Sequence, residues 1–251
     1  MKIKIVEDYQ ELSQAAATIL IERVKKNPNS TLGLATGGTP KGTYQQLIND
    51  HHLNGTSYQH VTTFNLDEYL GLAGENPNSY RYFMNAQLFH HIDIKIENTL
   101  IPNGDTINTA EECQRYEQLI KTKGGVDLQL LGIGSNGHIG FNEPGTSFKS
   151  TTHVVDLAPT TIEANARFFP SIEEVPKQAI TMGIGTIMKS KEILLLISGD
   201  QKKAAVQRLL NGEVNEEFPA SILNLHPNVT ILMDKAAAGQ ADRHPVLNGT
   251  Y

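Results

Sequence analysis

The sequence has no tryptophan and a single cysteine, Cys113. One cysteine excludes an internal disulfide, and no Cys-x-x-Cys pair is present for redox chemistry or zinc. Taken with the lack of a leader-like segment, this points to a cytoplasmic setting. Cys113 stands in Glu-Glu-Cys-Gln-Arg-Tyr within a helical pattern and reads as inert. Long apolar runs are missing too. The longest, residues 193–197, is far too short to span a bilayer, so no membrane partner is expected. Basic charge is scarce: 21 Lys and Arg stand against 27 Asp and Glu, a formal net charge of −6. Without a basic block this argues against nucleic-acid binding, although a local pair of cations can still hold a small anion. No repeat, linker or composition shift divides the chain.

What is present is 39% hydrophobic residues in 251, enough for a sizeable core and suited to one domain. Strand patterns alternate with helical ones. Residues 2–6, 31–35, 61–66, 127–131, 153–157, 179–182, 192–198 and 229–233 read as strands. Leu12, Ala16, Ile19, Leu20 and Val24 share one helical face. Helices are expected over 41–50, 79–92, 108–123, 160–169 and 200–210. Thr39 and Pro40 suit the N-cap and first position of the second helix. Thr109 and Glu112 have capping-box spacing, and Gly124 is a stop. The doublets His51-His52 and His90-His91 lack metal-ligand spacing and read as solvated helix ends. The alternation predicts an α/β fold with a mainly parallel sheet and helices on both faces. In such sheets ligands sit beyond the carboxyl ends of the strands.

Three post-strand loops carry the chemistry-bearing residues. Thr36-Gly37-Gly38-Thr39 joins a strand to a helix. Its glycines, hydroxyls and helix N-terminus make a seat for a phosphate or carboxylate, although it is not a Walker loop. Asp67-Glu68 ends a strand. Adjacent side chains on an extended chain point apart, so one carboxylate faces the cleft, where burial would make it a base. Residues 132–137 match Gly-x-Gly-x-x-Gly, and Asp156 lies about 20 residues on, the spacing of a dinucleotide fold. Yet Gly140, Pro144 and Gly145 follow, so no long helix opens there and no dinucleotide site is expected. The loop instead presents His138 and Glu143, a histidine able to titrate near neutrality and a carboxylate to orient it. Arg167 and Lys202 lie at or in short helices after strands. No Cys/His cluster suggests zinc, and no Gly-x-Ser-x-Gly suggests a serine hydrolase.

These loops together resemble the glucosamine-6-phosphate deaminases. The resemblance rests on Leu-Ala-Thr-Gly-Gly-Thr-Pro (34–40), Phe-Asn-Leu-Asp-Glu-Tyr-Leu-Gly-Leu (64–72) and Gly-His-Ile-Gly-Phe-Asn-Glu-Pro (137–144). Asn-Ala-Arg-Phe-Phe (165–169) and Ser-Gly-Asp-Gln-Lys (198–202) extend it over nearly the whole chain. It implies a three-layer α/β/α Rossmann-like fold, a single domain with a lid around 158–178, and no metal or organic cofactor. It implies conversion of D-glucosamine 6-phosphate and water to fructose 6-phosphate and ammonia. The phosphate would sit among Thr36, Gly37, Gly38, Thr39, Arg167 and Lys202. Asp67 would move the proton from C2 to C1, His138 would open the pyranose, and Glu143 would orient the histidine. Some members carry Asp where this chain has Asn136, which cannot stabilise an imidazolium by charge. That would leave the task to Glu143.

The related 6-phosphogluconolactonases share the fold and a histidine loop, but need no C2 base and lack the Phe-Asn-Glu-Pro string. A sugar-phosphate sensor of related fold would carry a helix-turn-helix, whereas this sequence opens on its first strand. In effector-activated, hexameric deaminases the resemblance places a basic pair just past the Asn-Glu-Pro loop, together with a longer C-terminal segment. Here the aligned positions are His153 and Val155, and the sequence stops at Tyr251. A monomer or small homo-oligomer without that activation is therefore expected.

Overall fold

A parallel strand covered on both faces is apolar at consecutive positions, as residues 193–197 are. The computed structural model describes residues 1–166 and 169–239. In chain order it runs β1 (Lys2–Val6), α1 (Tyr9–Lys26), β2 (Thr31–Leu34), α2 (Lys41–Asn54), β3 (Thr62–Asn65), β4 (Asp67–Tyr69) and α3 (Tyr80–Gln87). Next come β5 (Thr99–Leu100), α4 (Thr109–Thr122), β6 (Leu128–Gly132), β7 (His153–Asp156), α5 (Pro159–Asn165) and β8 (Gln178–Thr181). The described chain closes with α6 (Ile184–Ile187), β9 (Glu192–Ile197), α7 (Lys203–Leu210), β10 (Val229–Asp234) and α8 (Lys235–Ala238).

Seven strands form a parallel sheet in the order β1-β10-β9-β6-β2-β3-β5. Its two faces are both buried. Leu194, Leu196, Leu130 and Leu232 pack with Leu12 and Leu20 of α1 and Tyr44 and Leu47 of α2. Their neighbours Leu195, Ile197, Leu131 and Ile231 pack on the opposite face, with Tyr116 of α4 and Val206 and Leu209 of α7. The result is the expected α/β/α three-layer arrangement. α1 and α2 cross closely at Gly42, where a Cβ would lie 2.2 Å from Ser13 Oγ.

The strand alternation predicted one sheet, but β4, β8 and β7 form a second, antiparallel one. Its inner face rests on Tyr69, Phe141, Leu157 and Ala179. The chain passes from one sheet to the other at Leu66, whose N–H donates to Leu34 of the large sheet and whose carbonyl accepts from Met182 beside the small one.

Several local expectations shift. α2 starts at Lys41 with Pro40 as its N-cap, and no side chain caps it. α4 is capped by Asn108, which accepts from Glu111 N–H, because the capping spacing is met one residue earlier than at Thr109. Glu112 is instead buried and grips Arg115 through both carboxylate oxygens. α3 ends at Gln87, and Phe89–His91 continues as a 3-10 turn. The first helical stretch past β9 likewise starts as a 3-10 turn, Asp200–Lys202. His51 is not a solvated helix end: its Nδ1 lies 2.7 Å from the Thr56 carbonyl. Among the described residues no helix is long and apolar enough to cross a membrane.

Candidate active site

A cleft of about 670 Å³ opens at the carboxyl edge of the large sheet. Its walls come from the loops after β2, β3, β6 and β9, which are four adjacent strands in the sheet. The strand order reverses between β2 and β6, so the cleft lies at the switch point of the topology, where α/β sheets bind ligands.

The loop after β2 carries Thr36, Gly37, Gly38 and Thr39 into this cleft. Gly37 has φ +98°, a conformation that a side chain would strain. Because α2 has no side-chain cap, its first N–H groups stay available, and one is used from outside. Tyr9 of α1 accepts the Gly42 N–H at 2.9 Å and donates to the Gly38 carbonyl at 3.0 Å. Tyr9 thereby ties the loop to α1. Across the cleft, Lys202 ends the short turn after β9. Burial lowers its pKa below the ordinary lysine value, and none of the described carboxylates pairs with it. The turn is anchored by Asp234 of β10, which accepts from Ser198 Oγ and the Gly199 N–H. A half-buried ammonium facing free helix N–H groups makes a strong anion seat. Arg167 lies outside the described residues.

Asp67 and Glu68 part as an extended chain requires. Asp67 faces the cleft and is 7% exposed, and no described group hydrogen-bonds its carboxylate. Burial, with the Glu68 charge adding to it, pushes its pKa up to about 8. Gly140, with φ +59°, brings backbone up against this carboxylate, since a Cβ there would lie 3.5 Å from Asp67 Oδ2. Glu68 points away and accepts the N–H groups of Tyr69, Tyr80 and Arg81, so it caps α3. Burial raises its pKa to about 7, against the pull of those donors. Tyr80 lines the cleft and stacks on Phe141 at 6.0 Å.

The loop after β6 forms no helix, as the glycines and proline required. Gly134 donates its N–H to the His138 carbonyl, and the imidazole lies directly over Gly134, where a Cβ would sit 2.3 Å from the ring. His138 Nδ1 faces Glu143 Oε2 at 3.6 Å. Asn136 accepts the His138 N–H and donates its amide to Glu143 Oε2 at 2.7 Å. A carboxylate at position 136 could not donate that bond, so the amide serves the pair by holding Glu143. Thr161 of α5 donates to the other oxygen at 2.7 Å. Burial alone would raise the Glu143 pKa. The facing His138 and the two donors outweigh it and hold the carboxyl at about 2.

The cleft therefore joins a glycine loop with a lysine across from it, a carboxylate held at high pKa and a histidine–carboxylate pair. Tyr9, Tyr80 and Thr161 were not foreseen. Tyr9 lies far from the loops in sequence, and a tyrosine or threonine in a helical pattern carries no signal of its own. Among the described residues no group of three or more His, Cys, Asp or Glu side chains is placed to hold a metal ion.

The family model for glucosamine-6-phosphate isomerases and 6-phosphogluconolactonase matches residues 7–232. The chain belongs to this family. A glucosamine-6-phosphate deaminase of Geobacillus sp. (strain WCH70) is 60% identical over 94% of each chain. Glucosamine-6-phosphate deaminase 1 of Bacillus subtilis (strain 168) is 58% identical over 95% of this chain and 98% of that one. The solved structure of a monomeric glucosamine-6-phosphate deaminase superposes with a TM-score of 0.94 at 57% identity, over 95% of this chain and 99% of that one. A 6-phosphogluconolactonase from Trypanosoma brucei shares the fold, with a TM-score of 0.75 at 24% identity, over 95% of this chain and 98% of that one.

Proposed function

We propose that this chain converts D-glucosamine 6-phosphate and water to D-fructose 6-phosphate and ammonia. The observation that carries the reading is one cleft shared by Asp67, His138 and the anion seat of Thr36–Thr39 and Lys202. The high identity to deaminases along nearly the full chain supports it.

The phosphate binds the free N–H groups of α2, the hydroxyls of Thr36 and Thr39, and the Lys202 ammonium, with Arg167 as a second cation. Protonated His138 then gives its proton to the ring oxygen as the C1–O bond breaks, while the C1 hydroxyl loses its proton to water, which leaves the free aldehyde. The Glu143 carboxylate holds the imidazolium in place. Asp67 removes the C2 proton, giving an enolamine, and returns that proton to C1 on the same face, as one carboxylate does in aldose–ketose isomerisation. The iminium left at C2 adds water and expels ammonia, giving the ketose. A carboxylate with pKa near 8 is well matched to taking a proton from carbon at neutral pH.

Measuring ammonia and fructose 6-phosphate released from glucosamine 6-phosphate tests the proposal. Stoichiometric release of both is expected. Hydrolysis of 6-phosphogluconolactone without deamination would assign the lactonase activity instead, and tight binding of the sugar phosphate without turnover would make the chain a sensor.

A further inference from the structure

Thr161 lies in the first turn of α5, within the segment that the resemblance assigns to a lid. Its side chain is buried and lines the cleft. Its Oγ1 donates to Glu143 Oε1 at 2.7 Å. The other oxygen of that carboxylate accepts from Asn136 Nδ2 and faces His138 Nδ1. One carboxylate is thus gripped from two sides, by the histidine loop and by α5. The two grips are independent in the fold. Asn136 and His138 belong to one loop closed by its own backbone bonds, whereas α5 rests through Ile162 on the small cluster around Tyr69 and Phe141.

The terminal torsion of a glutamate is broad, so a single donor leaves its carboxylate free to turn. Asn136 and His138 also compete for one oxygen, Oε2. With Oε1 released, the carboxylate is free to swing toward the amide and away from the ring. A threonine hydroxyl has one proton to give, and here it goes to Glu143. That leaves no donor for the sugar, so the effect on substrate binding is indirect.

We propose that Thr161 is a positioning residue for ring opening, fixing Glu143 and through it His138. This rests on the roles given above to His138 and Glu143.

The test compares Thr161→Val, which keeps the shape and loses the donor, with Thr161→Ser, which keeps the donor. Substrates are glucosamine 6-phosphate and its 4,5-dideoxy analogue, which has no hydroxyl placed to close a furanose or a pyranose. Thr161→Val should lower kcat on the cyclic substrate about tenfold to a hundredfold, the scale of a lost hydrogen bond to a charged group. Its KM should move by no more than about threefold, and its kcat on the acyclic analogue should stay within about threefold of the native enzyme. Thr161→Ser should restore cyclic turnover. Near-native kcat in Thr161→Val, equal losses on both substrates, or a serine variant as impaired as the valine one would each overturn the proposal. His138→Gln and Glu143→Gln serve as controls. If either retains full cyclic turnover, the underlying assignment has failed as well. If both lose it and Thr161→Val does not, only the role of Thr161 falls.

Discussion

Two neighbouring carboxylates, Asp67 and Glu68, meet opposite surroundings because an extended chain turns them to opposite sides. Glu68 is satisfied by three backbone donors, whereas Asp67 is buried with none. This difference sets two pH dependences. The folded-state pKa of Asp67 is raised to about 8, so the neutral form is the one the fold favours. Its contribution to stability is complete below the ordinary carboxylate pKa and is lost as pH rises toward 8. Asp67→Asn should therefore melt at nearly the native temperature near pH 4 and progressively above it by pH 8. Turnover should fall by roughly 10²–10⁴-fold in the same variant, because the base is gone. A variant that retained native turnover would make Asp67 a structural residue. The proposed base acts in its ionised form, so native kcat/KM should show an acid limb centred near the pKa of about 8. Glu68 raises that pKa by like charge. Glu68→Gln should shift the limb to lower pH, and an unmoved limb would assign it to another group.

At the scale of elements, the anion seat depends on how α2 begins. An N-cap side chain would occupy the N–H groups that a phosphate needs, and Pro40 supplies none. Thr39 was the cap expected from sequence. The helix begins one residue later, and this frees Thr39 to face the cleft. Tyr9 replaces the missing cap from the side, reaching Gly42 N–H because α1 and α2 touch at a glycine. Tyr9→Phe should raise KM for the sugar phosphate about threefold to tenfold, since it removes two neutral hydrogen bonds. Lys202→Ala should raise KM more, about tenfold to a hundredfold, because a charge-assisted bond is lost. Inhibition by inorganic phosphate should weaken in the same order. Equal inhibition of native and Lys202→Ala protein would place the phosphate elsewhere. The course of this region was legible in the sequence: a glycine pair between a strand and a helix predicts the tight turn found there. The clamp by Tyr9 was not, because it depends on which helix packs beside α2, and that is a tertiary fact.

At the scale of the molecule, the large sheet was legible because parallel strands buried on both faces leave continuous apolar runs such as Ile193–Ile197. The small antiparallel sheet was not, because its pairing of Asp67 with Thr181 joins distant segments whose local patterns say nothing of each other. That sheet nonetheless bears on regulation. The resemblance places the effector-binding cations of activated deaminases at His153 and Val155, both on β7. His153 Nδ1 lies 2.8 Å from the Thr151 carbonyl, so this ring nitrogen is already engaged. Val155 is half-buried, with one side against the cluster of Tyr69, Phe141 and Leu157. An isopropyl group at this position cannot neutralise a phosphate. Substrate saturation should therefore be hyperbolic, and N-acetylglucosamine 6-phosphate should leave both kcat and KM unchanged. Light scattering should give the mass of one or a few 27.6 kDa chains rather than six. Sigmoidal curves that this effector makes hyperbolic, or a hexameric mass, would show that a different surface supplies both the contacts between subunits and the cations that β7 lacks.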